Sequence, residues 1–115
     1  MLGKIKYNRG DVVWVPFPFT DMKGRKHRPA LVVSSNGYNQ AQDDVVLAQI
    51  STRVRTPETG EQPIEGWKEA GLDEPSVVRP KLFTVEASLI YRRSGHVLEA
   101  DLMQIDEALR RLLGI

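Results

Sequence analysis

The chain has 115 residues, of which 27% are charged and 41% hydrophobic, with a net charge of +1 and no cysteine. This is the composition of a water-soluble globular protein, and the length predicts a single domain, residues 1–115. The composition excludes a disulfide frame and thiolate metal sites, and no apolar run is long enough to span a membrane or act as a leader, so a cytoplasmic protein is expected.

Residues 11–15, DVVWV, are β-formers and read as the first strand. Pro16 and Pro18 follow; each lacks an N–H, so the strand should leave the sheet there or run on an edge. TDMKGRKH reads as a polar loop. Residues 30–34 are apolar on both faces and read as a central strand. SNGYNQAQDD reads as a loop turning at Asn36-Gly37, and residues 45–50 as a third strand. TRVRTPETGEQP is rich in breakers, and residues 64–72 have room for one helical turn around Trp67. Short strands are predicted at 76–78, 82–85, 89–91 and 96–98. In EADLMQIDEALRRLLG, Leu102, Ile105, Leu109, Leu112 and Leu113 recur at three- and four-residue steps, the apolar face of an amphipathic helix. Acids lead it, Arg110 and Arg111 close it, and Gly114 ends it. The sum is a mainly β (α+β) fold, a small barrel with a C-terminal amphipathic helix.

The charge is segregated. Residues 1–30 carry seven Lys/Arg against Asp11 and Asp21, and the remainder carries nine against thirteen acids. Lys23, Arg25, Lys26, His27 and Arg28 crowd the mouth of the second strand. Solvation is the ordinary role of such a loop; a polyanionic partner and catalysis on a phosphate are the functional alternatives. There is no GxxxxGK[ST] or GxGxxG segment, which disfavours nucleotide cofactors. Asp43 and Asp44 are neighbours on an extended chain and point to opposite faces, so no metal site is expected. Arg28, its backbone followed by Pro29, is suited to gripping a phosphate with two parallel hydrogen bonds. Ser51 and Thr52 end the third strand. Whether they reach Arg28 depends on chain direction, which the sequence leaves open. Arg53 and Arg55 share one side of an extended segment, and Arg79 adds a further cation.

"RGDVVWVPFPFTD", "HRPALVVSS", "YN", "AQIST", "SVVRPKLFTV" and "LMQIDEALRRLLG" occur in the order seen in the MazF/PemK (Kid-like) toxins, and the chain resembles that family from about Arg9 to Gly114. The resemblance implies an SH3-like barrel, a homodimer, a cognate antitoxin, and metal-independent, cofactor-free endoribonuclease action on single-stranded mRNA. It assigns Arg28, Ser51, Thr52 and Arg79 to catalysis. Lys23, Arg25, Lys26, His27, Arg53, Arg55 and Lys81 are then expected along the RNA. The chain departs from the Kid-like pattern where those members carry a general-base Asp, two residues after the arginine: here stands Lys81, and an ordinary lysine amine is protonated at neutral pH and is no base. His27 and Glu86 are the substitutes considered from sequence. The alternatives are a CcdB-like gyrase-binding toxin and a non-cleaving SH3-like module that binds RNA or a protein partner.

Overall fold

The computed structural model describes residues 5–17, 26–53 and 58–115. Six strands form one antiparallel sheet, curled into a half-barrel: β1 (Asp11–Phe17), β2 (Lys26–Val32), β3 (Asp44–Thr52), β4 (Gln62–Ile64), β5 (Ser76–Glu86) and β6 (Arg92–His96), in the order β4-β5-β3-β2-β1-β6. A short helix α1 (Asn36–Ala41) joins β2 to β3, and α2 (Glu99–Leu113) ends the chain. Among the described residues no helix is long and apolar enough to cross a membrane.

Alternation along the strands sorts side chains onto two faces. Val12, Leu31, Ala48, Ile50 and Val78 share one buried cluster with Ile64, Ala70, Leu72 and Val97, closed by Ile105 of α2 with Leu102 and Leu109 beside it. Val13, Val15, Ala30, Val32, Val45, Leu47 and Val85 form the other, covered by Tyr7 and Ile90. The helix therefore uses the first half of its predicted apolar stripe. Leu112 and Leu113 lie past the core and stay exposed.

Two glycines at positive φ make close approaches that a side chain would block. Gly10 has φ +94, and a Cβ there would meet the His96 ring at 2.8 Å. This lets the Gly10 N–H reach the Val32 carbonyl, while buried Asp11 accepts from the Asn8 N–H at 2.8 Å. Gly71, with φ +77, brings the 65–72 segment against the Ser94 carbonyl of β6.

Several elements differ from the expectation. β1 is interior rather than terminal: β2 flanks its whole length and β6 pairs with Asp11–Trp14. Pro16 falls where the β6 pairing has ended, so its missing N–H costs nothing there. SNGYNQAQDD is not all loop, because Ser35 caps α1 by accepting from the Tyr38 N–H. The two strands expected at 76–78 and 82–85 are one strand, β5. Residues 89–91 are not a strand; a 3-10 turn occupies Ala87–Leu89 and the strand begins at Arg92. Of residues 64–72, Ile64 ends β4 and 65–71 form a run of turns closed by the Ala70 N–H on Gly66 and the Leu72 N–H on Trp67. Trp67, partly buried, packs against the first cluster.

Candidate active site

Chain direction decides whether the sequence-derived residues meet. β2 and β3 are antiparallel, with Ala30 opposite Gln49, Leu31 opposite Ala48 and Val32 opposite Leu47. The start of β2 therefore lies beside the end of β3. Continued two residues, the same register puts Arg28 opposite Ser51. Opposed residues share a face. Pro29 has no N–H, and the β2–β3 ladder stops beside it at Ala30, whereas the β1–β2 ladder runs on to Phe17 and Lys26. The two strand ends are left without mutual backbone bonds, and a cleft of about 230 Å³ opens between them.

Trp14, His27, Arg28, Pro29, Ser51 and Thr52 line this cleft, with Leu72, Asp73 and Glu74 forming its far wall. Arg28 is exposed and Ser51 half-buried. The Thr52 hydroxyl donates to Glu74 Oε2 at 3.3 Å. Aromatic contacts organise one rim: the His27 ring stacks on Tyr91 at 4.1 Å between centroids, and the Arg92 guanidinium sits 5.0 Å from the Trp14 ring. Stacked and cation-capped rings are surfaces on which bases can lie. The Trp14 Nε1 is buried, with no partner among the described residues.

The other expected residues are distributed differently. Lys26 opens β2 and is exposed. Arg53 follows Thr52, its N–H bonded to the Pro75 carbonyl at 2.8 Å and its guanidinium 3.9 Å from Glu65. The structure does not bring Arg79 to the cleft. Its guanidinium is held by Glu58 at 2.9 Å and Glu61 at 3.3 Å, on the side of β5 near Gly60 and α2. Lys81 is exposed farther along β5. Glu86 borders a separate hollow beside Tyr7 and Ile90. Lys23, Arg25 and Arg55 lie outside the described residues. Tyr91, Arg92, Asp73 and Glu74 were not singled out from sequence. The acidic pair in LDEPS just ahead of a strand is the only local signal for the last two.

A larger hollow, about 620 Å³, lies between the end of α2 and the sheet, walled by Val33, Val46, Leu82, Leu109, Leu113 and Ile115. Of its charged members, Arg9 and Asp106 pair with each other at 2.6 Å, and Arg110 pairs with Glu107 at 2.9 Å. It has the character of a packing surface, and the chemistry-bearing groups gather in the smaller cleft. Among the described residues no group of three His, Asp or Glu is placed to hold a metal ion.

Comparison with known proteins follows the same lines. The profile of a family described as PemK-like, MazF-like toxin of type II toxin–antitoxin system matches residues 8–113. Among curated proteins none matches in sequence. Solved structures do match in shape. An endoribonuclease in complex with its cognate antitoxin, from a mycobacterial species, superposes with a TM-score of 0.77 at 23% identity, covering 95% of this chain and 96% of that one. Mycobacterium tuberculosis toxin MazF-mt6 gives 0.74 at 23%, covering 91% and 97%. A MazE–MazF complex from Deinococcus radiodurans gives 0.77 at 20%, covering 96% and 99%. At these identities the likeness is one of fold.

Proposed function

This chain belongs to the PemK-like, MazF-like toxins of type II toxin–antitoxin systems, and from that premise we propose that it is a metal-independent endoribonuclease cutting single-stranded mRNA. The observation that carries the reading is the meeting of Arg28, Ser51 and Thr52 in one cleft where the β2–β3 ladder ends. A guanidinium and two hydroxyls at a strand terminus suit a phosphodiester: one fixed cation and two small donors, with room between them.

In the proposed reaction the ribose 2′-OH attacks the adjacent phosphorus, the P–O5′ bond breaks, and a 2′,3′-cyclic phosphate and a 5′-hydroxyl result. Negative charge grows on the phosphoryl oxygens, and Arg28 neutralises it from a backbone set by Pro29. Ser51 holds the phosphate or orients the 2′-OH, and Thr52 is its neighbour. His27, Lys26, Arg53 and Trp14 extend the groove along the RNA, joined by Lys23, Arg25 and Arg55 from outside the described residues and by Lys81 farther off. Arg79, engaged by Glu58 and Glu61, is given no proton-transfer step. The family reading also supplies two protein partners, a second copy of the chain and a cognate antitoxin, and a cytoplasmic site of action.

The experiment is cleavage of a long single-stranded RNA in excess EDTA, beside Arg28→Ala. Wild type should cut at defined sites. Removal of the cation assigned to the phosphate should lower kcat by about 10²–10³-fold with the fold intact. Wild-type-like cutting by the variant refutes the assignment of Arg28. No cutting by a folded wild type refutes the ribonuclease reading.

A further inference from the structure

Arg28, Ser51 and Thr52 offer charge and donors to a phosphate but no acceptor for the 2′-OH proton, and Lys81 occupies the position of the Kid-like aspartate. The cleft contains a carboxylate that sequence reading passed over. We infer, on the footing of the ribonuclease reading, that Glu74 is the general base that takes the 2′-OH proton.

Glu74 is held in place. Its carboxylate accepts from Thr52 at 3.3 Å, its carbonyl accepts from the Ser76 hydroxyl at 2.8 Å, and the next carbonyl, of Pro75, accepts from the Arg53 N–H at 2.8 Å. These three bonds fasten it to the end of β3, and it lines the same cleft as Arg28 and Ser51. It is also available. The side chain is exposed, and among the described residues Oε1 accepts no hydrogen bond, so an acceptor oxygen remains for the substrate. Its position runs against simple binding: a carboxylate on the wall of a phosphodiester cleft repels the ligand. A role in neutralising a cation would explain that position, but among the described residues no ion pair joins Glu74 to an arginine or lysine, and Arg53, whose N–H bonds the Pro75 carbonyl, has its guanidinium beside Glu65. Asp73 shares the wall, yet its shorter side chain has no hydrogen bond to the end of β3 among the described residues. It serves as the internal control.

The step balances. The 2′-O–H proton passes to the Glu74 carboxylate as the 2′-oxygen bonds to phosphorus. The P–O5′ bond breaks, and the departing 5′-oxygen takes a proton from His27 or a water molecule.

The test compares wild type, Glu74→Gln, Glu74→Asp and Asp73→Asn on a long single-stranded RNA. Binding is measured to an oligonucleotide spanning a mapped cleavage site, with 2′-deoxyribose at the reacting position. Glu74→Gln should lower kcat by about 10²–10⁴-fold, bind the deoxy oligonucleotide at least as tightly as wild type, and lose the acidic limb of the kcat–pH profile. Glu74→Asp should fall between, and Asp73→Asn, which removes a wall carboxylate not bonded to β3, should keep the acidic limb while binding the deoxy oligonucleotide at least as tightly as wild type. Unchanged kcat in Glu74→Gln, a loss confined to KM, or a persisting acidic limb overturns the inference. Were the Gln variant to unfold, kcat and the pH profile of Glu74→Asp decide. Wild type that cuts nothing defeats the ribonuclease reading; wild type that cuts while Glu74→Gln is unimpaired defeats this one alone.

Discussion

Asp101 determines whether the far wall of the cleft is held from below. It stands in the first turn of α2, 5% exposed. Its oxygens accept from the Glu65 N–H at 3.1 Å and the Gly66 N–H at 2.8 Å. The two bonds tie the helix to the run of turns that ends at Leu72 and passes into Asp73 and Glu74. Hydrogen bonds to a charged group contribute about 1.5–3 kcal/mol each. The Gly66 bond is buried and counts in full, while the Glu65 bond is partly wetted and belongs at the low end. A carboxylate in a first helical turn adds about 0.3–1 kcal/mol. Asp101→Ala should therefore cost about 3–5 kcal/mol, a large share of the ~5–15 kcal/mol that holds a domain together. Asp101→Asn keeps the volume and one acceptor but turns an amide N–H₂ toward the other donor, and should cost about 2–3 kcal/mol. Urea unfolding measures both, with the m-value unchanged. At a temperature where each variant is fully folded, cleavage should still fall, because a displaced 65–74 segment misplaces Glu74, and an ångström of misplacement is worth up to about 10²-fold. A loss below about 1 kcal/mol for the alanine variant would falsify the tie.

Burial and the Asp11 carboxylate raise the Tyr7 phenol above its ordinary 10.0, with Arg93 opposing. The folded chain then holds that proton more tightly than the unfolded chain. Stability is full below about pH 10 and declines as pH rises from there through the raised folded value. Tyr7→Phe should remove that part of the decline, and parallel unfolding midpoints for both proteins from about pH 9 to 11.5 would speak against it. Arg79→Gln removes the cation beside the Glu61 carboxylate, whose side chain is 4% exposed and which then keeps only the Glu58 N–H at 3.0 Å. It should cost about 1–3 kcal/mol while kcat of the folded variant stays near wild type; a collapsed kcat at unchanged stability would make Arg79 catalytic instead. Neutralising Lys23, Arg25 and Lys26 together should flatten the salt dependence of RNA binding by about 2 in log–log slope, at ~0.7 per phosphate contact on a single strand. An unchanged slope assigns them to solvation.

What could be read from the sequence was what is periodic. The apolar runs of β1 and β3 and the stripe of α2 state their own structure. β5 was split in two because Arg79-Pro80-Lys81 interrupts it. Its ladder with β3 jumps from Leu82 opposite Ala48 to Val78 opposite Ile50, so the three intervening residues fall in an irregularity where the proline owes no N–H. The helix α1 has no apolar period, only the Ser35 cap to announce it. At 89–91 the composition favoured a strand, yet Leu89 and Tyr91 are exposed around buried Ile90, the remnant of a turn that caps the second cluster.

The site divides along the same line. Arg28, Ser51 and Thr52 were legible as residue types at strand ends, because each sits beside its own hydrophobic run. Their meeting was not, since it needs the pairing of β2 with β3, a long-range fact. Glu74 was hidden for a stronger reason: it enters from a segment more than twenty residues later in the chain, fixed by Thr52, Ser76 and the turns under Asp101. Pro29 links the two levels. As sequence it marks a strand that ought to break. As structure it ends the β2–β3 ladder while β1 still supports the strand, so Arg28 is held by its backbone and separated from Ser51 by open space. A residue that could donate there would extend the ladder and narrow the gap between the two strand ends. The proline that makes β2 a poorer strand is thus what leaves it an open site.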